Sequence, residues 1–180
     1  FGGESLKYDL TQYEVHIFAE ITDAPMLDIE SILNIAREYQ KNGAEVIDIG
    51  CLPNHDFPHL KETIQELKNN KFYVSIDSHN RDEIITGSNA GADYVLSLKK
   101  DNFDILDSIN STPVIIPNST DDFDSLTWCI EQCINNKKNF IADPILDPIN
   151  FGFTDSLMRY HKLRQMYPEI NIMMGVGNIT

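Results

Sequence analysis

The chain has 180 residues, 42% hydrophobic and 23% charged, which are values of a globular polypeptide long enough for one substantial core. Fourteen basic residues stand against 28 acidic ones, and the net charge of −14 argues against nucleic acid or an anionic membrane as partner. It argues equally against a heavily phosphorylated substrate unless basic groups cluster locally.

No stretch is apolar enough to span a membrane. The sequence opens on Phe1 without a signal-peptide pattern, which suggests a segment of a longer protein: a leader over 1–13, then one domain over 14–180. Short apolar runs follow at 15–19, 46–49, 73–76, 94–98, 114–116, 140–142 and 172–174. Their near-continuous hydrophobicity suits strands covered on both faces. Helical patterns lie between them near 28–42, 57–70, 79–90, 101–110, 121–137 and 153–167. In the first, Ile29, Ile32, Leu33, Ala36 and Tyr39 recur at the spacing of one helix face. A faint repeat, "NGAEVIDIG" at 42–50 and "AGADYVLSL" at 90–98, pairs a helix-ending glycine with an acid and a buried strand. Strict alternation of this kind builds either a doubly wound open sheet or most of a (β/α)8 barrel. As a barrel, the sequence stops after its seventh strand, with the C-terminal strand missing.

The three cysteines, Cys51, Cys129 and Cys133, have no framework spacing and suggest a reducing, cytoplasmic setting. Cys129 and Cys133 read as packed core residues. His55 and His59 have zinc-like spacing, but Pro58 breaks the register that would align them.

Both architectures bind ligands at the carboxyl ends of their strands. The residues there are Glu20, Asp48, Asp77, Ser97, Asn118, Asp143 and, after the seventh strand, Asn178. Ser78, Asn80, Asp101, Asp121 and Thr154 suit helix caps instead. Asp77 follows "VSI" directly with a cap already available at Ser78, and Asp143 precedes Pro144, so these two carboxylates point to ligand binding. Asp147 repeats the Asp-Pro pair but lies in the loop beyond and reads as a turn residue. Carboxylates and amides without cations suit a neutral heterocycle with a 2-amino-pyrimidinone edge, whose ring N–H and NH2 match the two oxygens of one carboxylate. No phosphate-binding loop, dinucleotide fingerprint or nucleophile elbow is present.

Taken together, "HIFAEITDAP", "GAEVIDIG", "VSIDS", "GADYVLSL", "IADPILDPINFG" and "GVGNIT" resemble, in order and spacing, the pterin-binding (β/α)8 barrel family. That family includes dihydropteroate synthases, their archaeal relatives, and methyltransferases acting between a tetrahydropterin and a corrinoid. The resemblance implies an α/β TIM-type barrel, present as about seven β/α units. It implies that Asp143 binds the amino edge of a pterin and that Asp77 contacts its ring. Where the family commonly has a strand-four asparagine, this chain has Leu96 and Ser97.

Departures separate the branches. Glu20 stands where a synthase has an asparagine that helps hold a metal, and Asn178 or Ile179 where it has a lysine. Displacing diphosphate needs cations or a metal. "DPILDP" and "GVGN" resemble the methyltransferases more, with Asn178 beside the pterin's N5. The expectations are therefore a domain of tetrahydropterin (folate or methanopterin) metabolism, with methyl transfer favoured over condensation or a binding-only module. Asn178 and Asp77 are the catalytic candidates; Asp77, Asp143, Ser97, Glu20, Asn118 and Asp48 are the substrate-binding ones. The cofactor is a reduced pterin and no metal is expected. Any corrinoid would sit on a separate protein, since D-x-H-x-x-G is absent, and a homodimer is common in the family.

Overall fold

Each apolar run of the sequence becomes a parallel strand in the computed structural model, which describes residues 15–179. The leader over 1–13 lies outside the described residues. The strands are β1 (Phe18–Ile21), β2 (Val46–Gly50), β3 (Tyr73–Asp77), β4 (Tyr94–Leu98), β5 (Thr112–Ile115), β6 (Ile141–Ala142) and β7 (Asn171–Ile172). Between them run α1 (Ile29–Lys41), α2 (Leu60–Asn69), α3 (Arg81–Ala90), α4 (Phe123–Asn135) and α5 (Phe153–Met166). A 3-10 helix, Lys100–Ser108, connects β4 to β5.

The sheet order is β1-β2-β3-β4-β5-β6-β7, with every neighbouring pair parallel. A doubly wound sheet reverses its order at a switch point; this one never does. The chain is thus an α/β TIM-like barrel of about seven β/α units, its strand tips all at one end. Among the described residues β1 and β7 each have a partner on one side only.

Alternation along the strands sorts the side chains. Ile21, Ile49, Ile76 and Val95 share one level of the ladder and are buried. They face the helices: a Cβ added at Gly87 of α3 would come 2.7 Å from Ile76 Cδ1. Across that layer sit Ile32 and Ala36 of α1, Ile64 and Leu67 of α2, and Leu126 and Ile130 of α4, all fully buried. Each large aliphatic side chain so buried contributes about 1.5–3 kcal/mol. Cys129 and Cys133 belong to the same core, and burial pushes their thiols up to about 12 and about 11.

Several boundaries and caps differ from the sequence reading, α5 for instance being capped by Gly152 rather than Thr154. β1 starts at Phe18, and Val15 and Ile17 are exposed, because the ladder with β2 begins at the Ile17 carbonyl. The fourth helical stretch is a 3-10 helix, Lys100–Ser108, with Asn102, Phe103, Ile105 and Leu106 buried and a kink at Asn102. α4 is capped by Asp122 rather than Asp121, whose carboxylate accepts from Ser119 Oγ. No helix among the described residues is long and apolar enough to cross a membrane.

Candidate functional site

The opposite parity of the same strands points into the barrel. Glu20 pairs with Asp48 and Asp48 with Ser75, while Asp77 lies two residues further along β3. Ligand oxygens of Glu20, Asp48 and Asp77 all fall within 4.8 Å of one another. Gly50 makes room for this: a Cβ there would meet Glu20 Oε1 at 2.7 Å. Asp48 is buried and accepts from Ser75 Oγ at 2.7 Å. Burial, together with the nearby charges of Asp77 and Glu20, pushes its carboxyl up to about 7. Burial and Asp77 also raise Glu20. Carboxylates crowded this closely are eased either by a proton on one of them or by a bound cation. Among the described residues these three could together hold a metal ion; the sequence led us to expect none.

Ser97 reaches the same cluster through an irregular strand. Val95 pairs with Pro113 but Leu98 pairs with Ile115, so β4 carries one extra residue. Ser97 sits in that bulge with φ 67°, a left-handed conformation uncommon outside glycine, and its hydroxyl donates to Asp77 Oδ1 at 2.6 Å. Buried Asn102 supports the bulge, its amide donating to the Ser97 carbonyl and accepting from Lys99 N–H. The sequence reading missed Asn102, whose only visible signal is its place three residues into a helix start.

Asp143 stands at the tip of β6, buried, with both of its hydrogen bonds on Oδ1: from Tyr160 Oη at 2.6 Å and from Ile145 N–H at 2.7 Å. Burial raises its carboxyl, and Asp77 adds to that, while Tyr160, Ile145 and Arg159 counteract it. A Cβ at Gly175 would stand 3.3 Å from Asn178 Nδ2 and 3.7 Å from Asp143 Oδ2, so amide and carboxylate flank the same glycine. Asn178 itself is exposed, in the short 3-10 turn Val176–Ile179.

The fold therefore gathers Glu20, Asp48, Asp77 and Ser97, with Asp143 and Asn178 further round the barrel mouth. Asn118 is held apart. Its side-chain amide donates to Asp101 Oδ1 at 3.0 Å and its oxygen accepts from Asp101 N–H at 3.3 Å. Asp147 is more than a turn residue: it accepts from Arg159 Nη2 at 2.7 Å in a mostly buried pair. Arg159 and Tyr160 were also missed.

A cavity of about 760 Å³ opens over β1, β2 and β3, lined by Glu20, Asp77, the 51–56 loop, and Ser78, His79, Asn80 and Glu83. Among the described residues no lysine or arginine lines it. Cys51 lies in its wall, but burial and the charges of Glu83 and Asp77 raise its thiol, so it is a poor nucleophile. His59 Nε2–H donates to the Leu27 carbonyl, 2.8 Å away, and is not paired with His55.

No protein-family model matches the chain. An uncharacterized protein of Methanocaldococcus jannaschii is 28% identical over 193 residues, covering 94% of this chain but 36% of that protein. The chain thus spans little more than a third of that relative's length. Among solved structures, Yersinia pestis dihydropteroate synthase with a pterine-sulfa conjugate is similar at TM-score 0.68 and 16% identity, over 97% of this chain and 75% of that one. Xanthomonas albilineans dihydropteroate synthase in complex with 7,8-dihydropteroate gives TM-score 0.68 and 15% identity, over 89% and 72%. The Coxiella burnetii synthase in complex with pteroic acid gives 0.66 and 18%, over 88% and 72%. The barrel described above is accordingly the fold of the dihydropteroate synthases.

Proposed function

We propose that this chain is a pterin-binding domain acting in tetrahydropterin metabolism. The observation that carries the reading is Asp143: a buried carboxylate at a strand tip, with one oxygen engaged by the protein and the other beside the glycine of the next strand's loop. An N–H donor on a 2-amino-pyrimidinone edge is the partner that the open oxygen takes. Similarity of fold to synthases solved with pterin compounds supports it. Asp77, oriented by Ser97, contacts the ring; Glu20 lines the cavity, and Asp48 is buried beside both. Asn118 holds the 3-10 helix at the rim through Asp101. The cavity over β1–β3 is of the size that holds a small ligand and takes the group attached beyond the ring.

Methyl transfer from a methylated reduced pterin is the favoured reaction. The methyl passes to a reduced corrinoid on a separate protein, and N5 keeps its electron pair and takes up a proton. Asn178 serves there because an amide both donates and accepts as that protonation changes. With no lysine or arginine among the described residues of the cavity, loss of diphosphate would need a metal held by Glu20, Asp48 and Asp77. The test is calorimetry on the intact protein with a tetrahydropterin, its 5-methyl form, and a pterin diphosphate with magnesium. Preference for the methyl form at roughly micromolar affinity, on the order of −8 kcal/mol, is expected. Binding confined to the diphosphate with magnesium would replace transfer by condensation. Pterin binding without turnover of any of them would leave a binding module.

A further inference from the structure

We infer that α5, through its adjacent residues Arg159 and Tyr160, is the positioning element that fixes which oxygen of Asp143 is offered to ligand. This rests on the reading of Asp143 as the ligand's acceptor, and deepens it.

The turn after β6 is strained at one residue. Ile145 has φ 64°, a left-handed conformation that a β-branched side chain avoids. The same turn brings Ile145 N–H back onto Asp143 Oδ1. Something must hold it there, and Arg159 does. Its Nε donates to the Pro144 carbonyl at 3.1 Å and its Nη2 to the Ile145 carbonyl at 2.8 Å, while the same nitrogen meets Asp147 Oδ2. A planar guanidinium can serve three acceptors in one loop; an ammonium cannot match that fork. Gly152, with φ 110°, completes the arrangement, since a Cβ there would press on Asp147 Oδ2 at 3.2 Å.

The next residue on the helix faces the strand tip instead. Tyr160 is buried, and its hydroxyl donates to the same Oδ1. Turn and phenol both fall on Oδ1, and Oδ2 is left facing Gly175. The charged and titratable groups facing Asp143 are Tyr160 and Arg159 from α5 and Asp77 from β3. Tyr160 and Arg159 favour the ionised carboxylate that a donor edge requires; Asp77 opposes it.

Tyr160→Phe tests this through two readouts on the intact protein. In ligand-free protein, carboxyl-carbon NMR should show Asp143 titrating at higher pH than in wild type. In calorimetry with 2-amino-4-oxopteridine, affinity at pH 7 should fall about tenfold, and the pH below which binding fails should rise. A loss equal at every pH, or an unmoved Asp143 titration, would overturn the inference. Arg159→Lys should weaken binding by a similar factor, and adding Ile145→Gly should restore it to within about threefold, because glycine takes the turn unaided. Failure of that restoration, in a double variant folded by circular dichroism, would count against the clamp. If wild type binds no pterin while the Asp143 titration still moves in Tyr160→Phe, the ligand reading fails and the positioning role stands.

Discussion

Ser97 shows how one residue trades stability for geometry. Its left-handed backbone costs about 1–3 kcal/mol and aims a hydroxyl at Asp77. Ser97→Gly is therefore expected to raise stability by about 0.5–1 kcal/mol in urea denaturation, since glycine adopts that φ freely but gains unfolded-state entropy. The same variant should weaken pterin affinity by about fivefold, roughly 1 kcal/mol, by removing a donor from Asp77. A loss of stability with unchanged affinity would mean that the bulge serves the barrel alone. Asp48 is the counterpart, a carboxyl made hard to ionise by burial. Its bond from Ser75 is one that an asparagine oxygen also accepts, so Asp48→Asn should fold normally.

Within the elements, α2 contains the clearest local flaw. Thr63 is fully buried, and its hydroxyl is the one buried side-chain polar atom among the described residues without a hydrogen-bond partner. Thr63→Val keeps the shape and removes the unmet group, so it should stabilise the fold by about 1 kcal/mol, read as a higher melting temperature. A destabilised variant would show that the hydroxyl is satisfied in solution. The elements also show what the sequence could carry. β2, β3 and β4 were legible because their buried faces leave no polar position except at functional spots, and Asp143 was legible because Pro144 stops the strand behind it. The stretch over 101–110 was read as helical without a type, and the structure makes it a 3-10 helix. Arg159 and Tyr160 could not be found that way. In "MRYHKLR" they look like an ordinary polar face, and only the packing of α5 over the β6 turn gives them partners.

The molecule as a whole is acidic, and its barrel mouth concentrates carboxylates whose ionisation the fold opposes. Glu20, Asp48 and Asp143 all titrate above their ordinary range. Between about pH 4 and pH 7 the folded chain keeps a proton on Asp48 that the unfolded chain has lost. Stability from this group therefore falls as pH rises through that window and is lowest above it. Asp48→Asn should melt at nearly the wild-type temperature at pH 4 and clearly above it at pH 8, a difference on the order of a few kcal/mol. Magnesium that raised the melting temperature of wild type but not of Asp48→Asn would indicate that a cation, rather than a proton, relieves the cluster.

The central claim is that Asp143 recognises the amino edge of a pterin, and a single pair of titrations tests it most directly. Calorimetry of the intact protein with a reduced pterin at pH 7, on wild type and on Asp143→Asn, should give micromolar-class binding weakened about tenfold or more, at least roughly 1.4 kcal/mol, in the variant. Equal affinity in a folded Asp143→Asn, or no binding by wild type, would contradict the account.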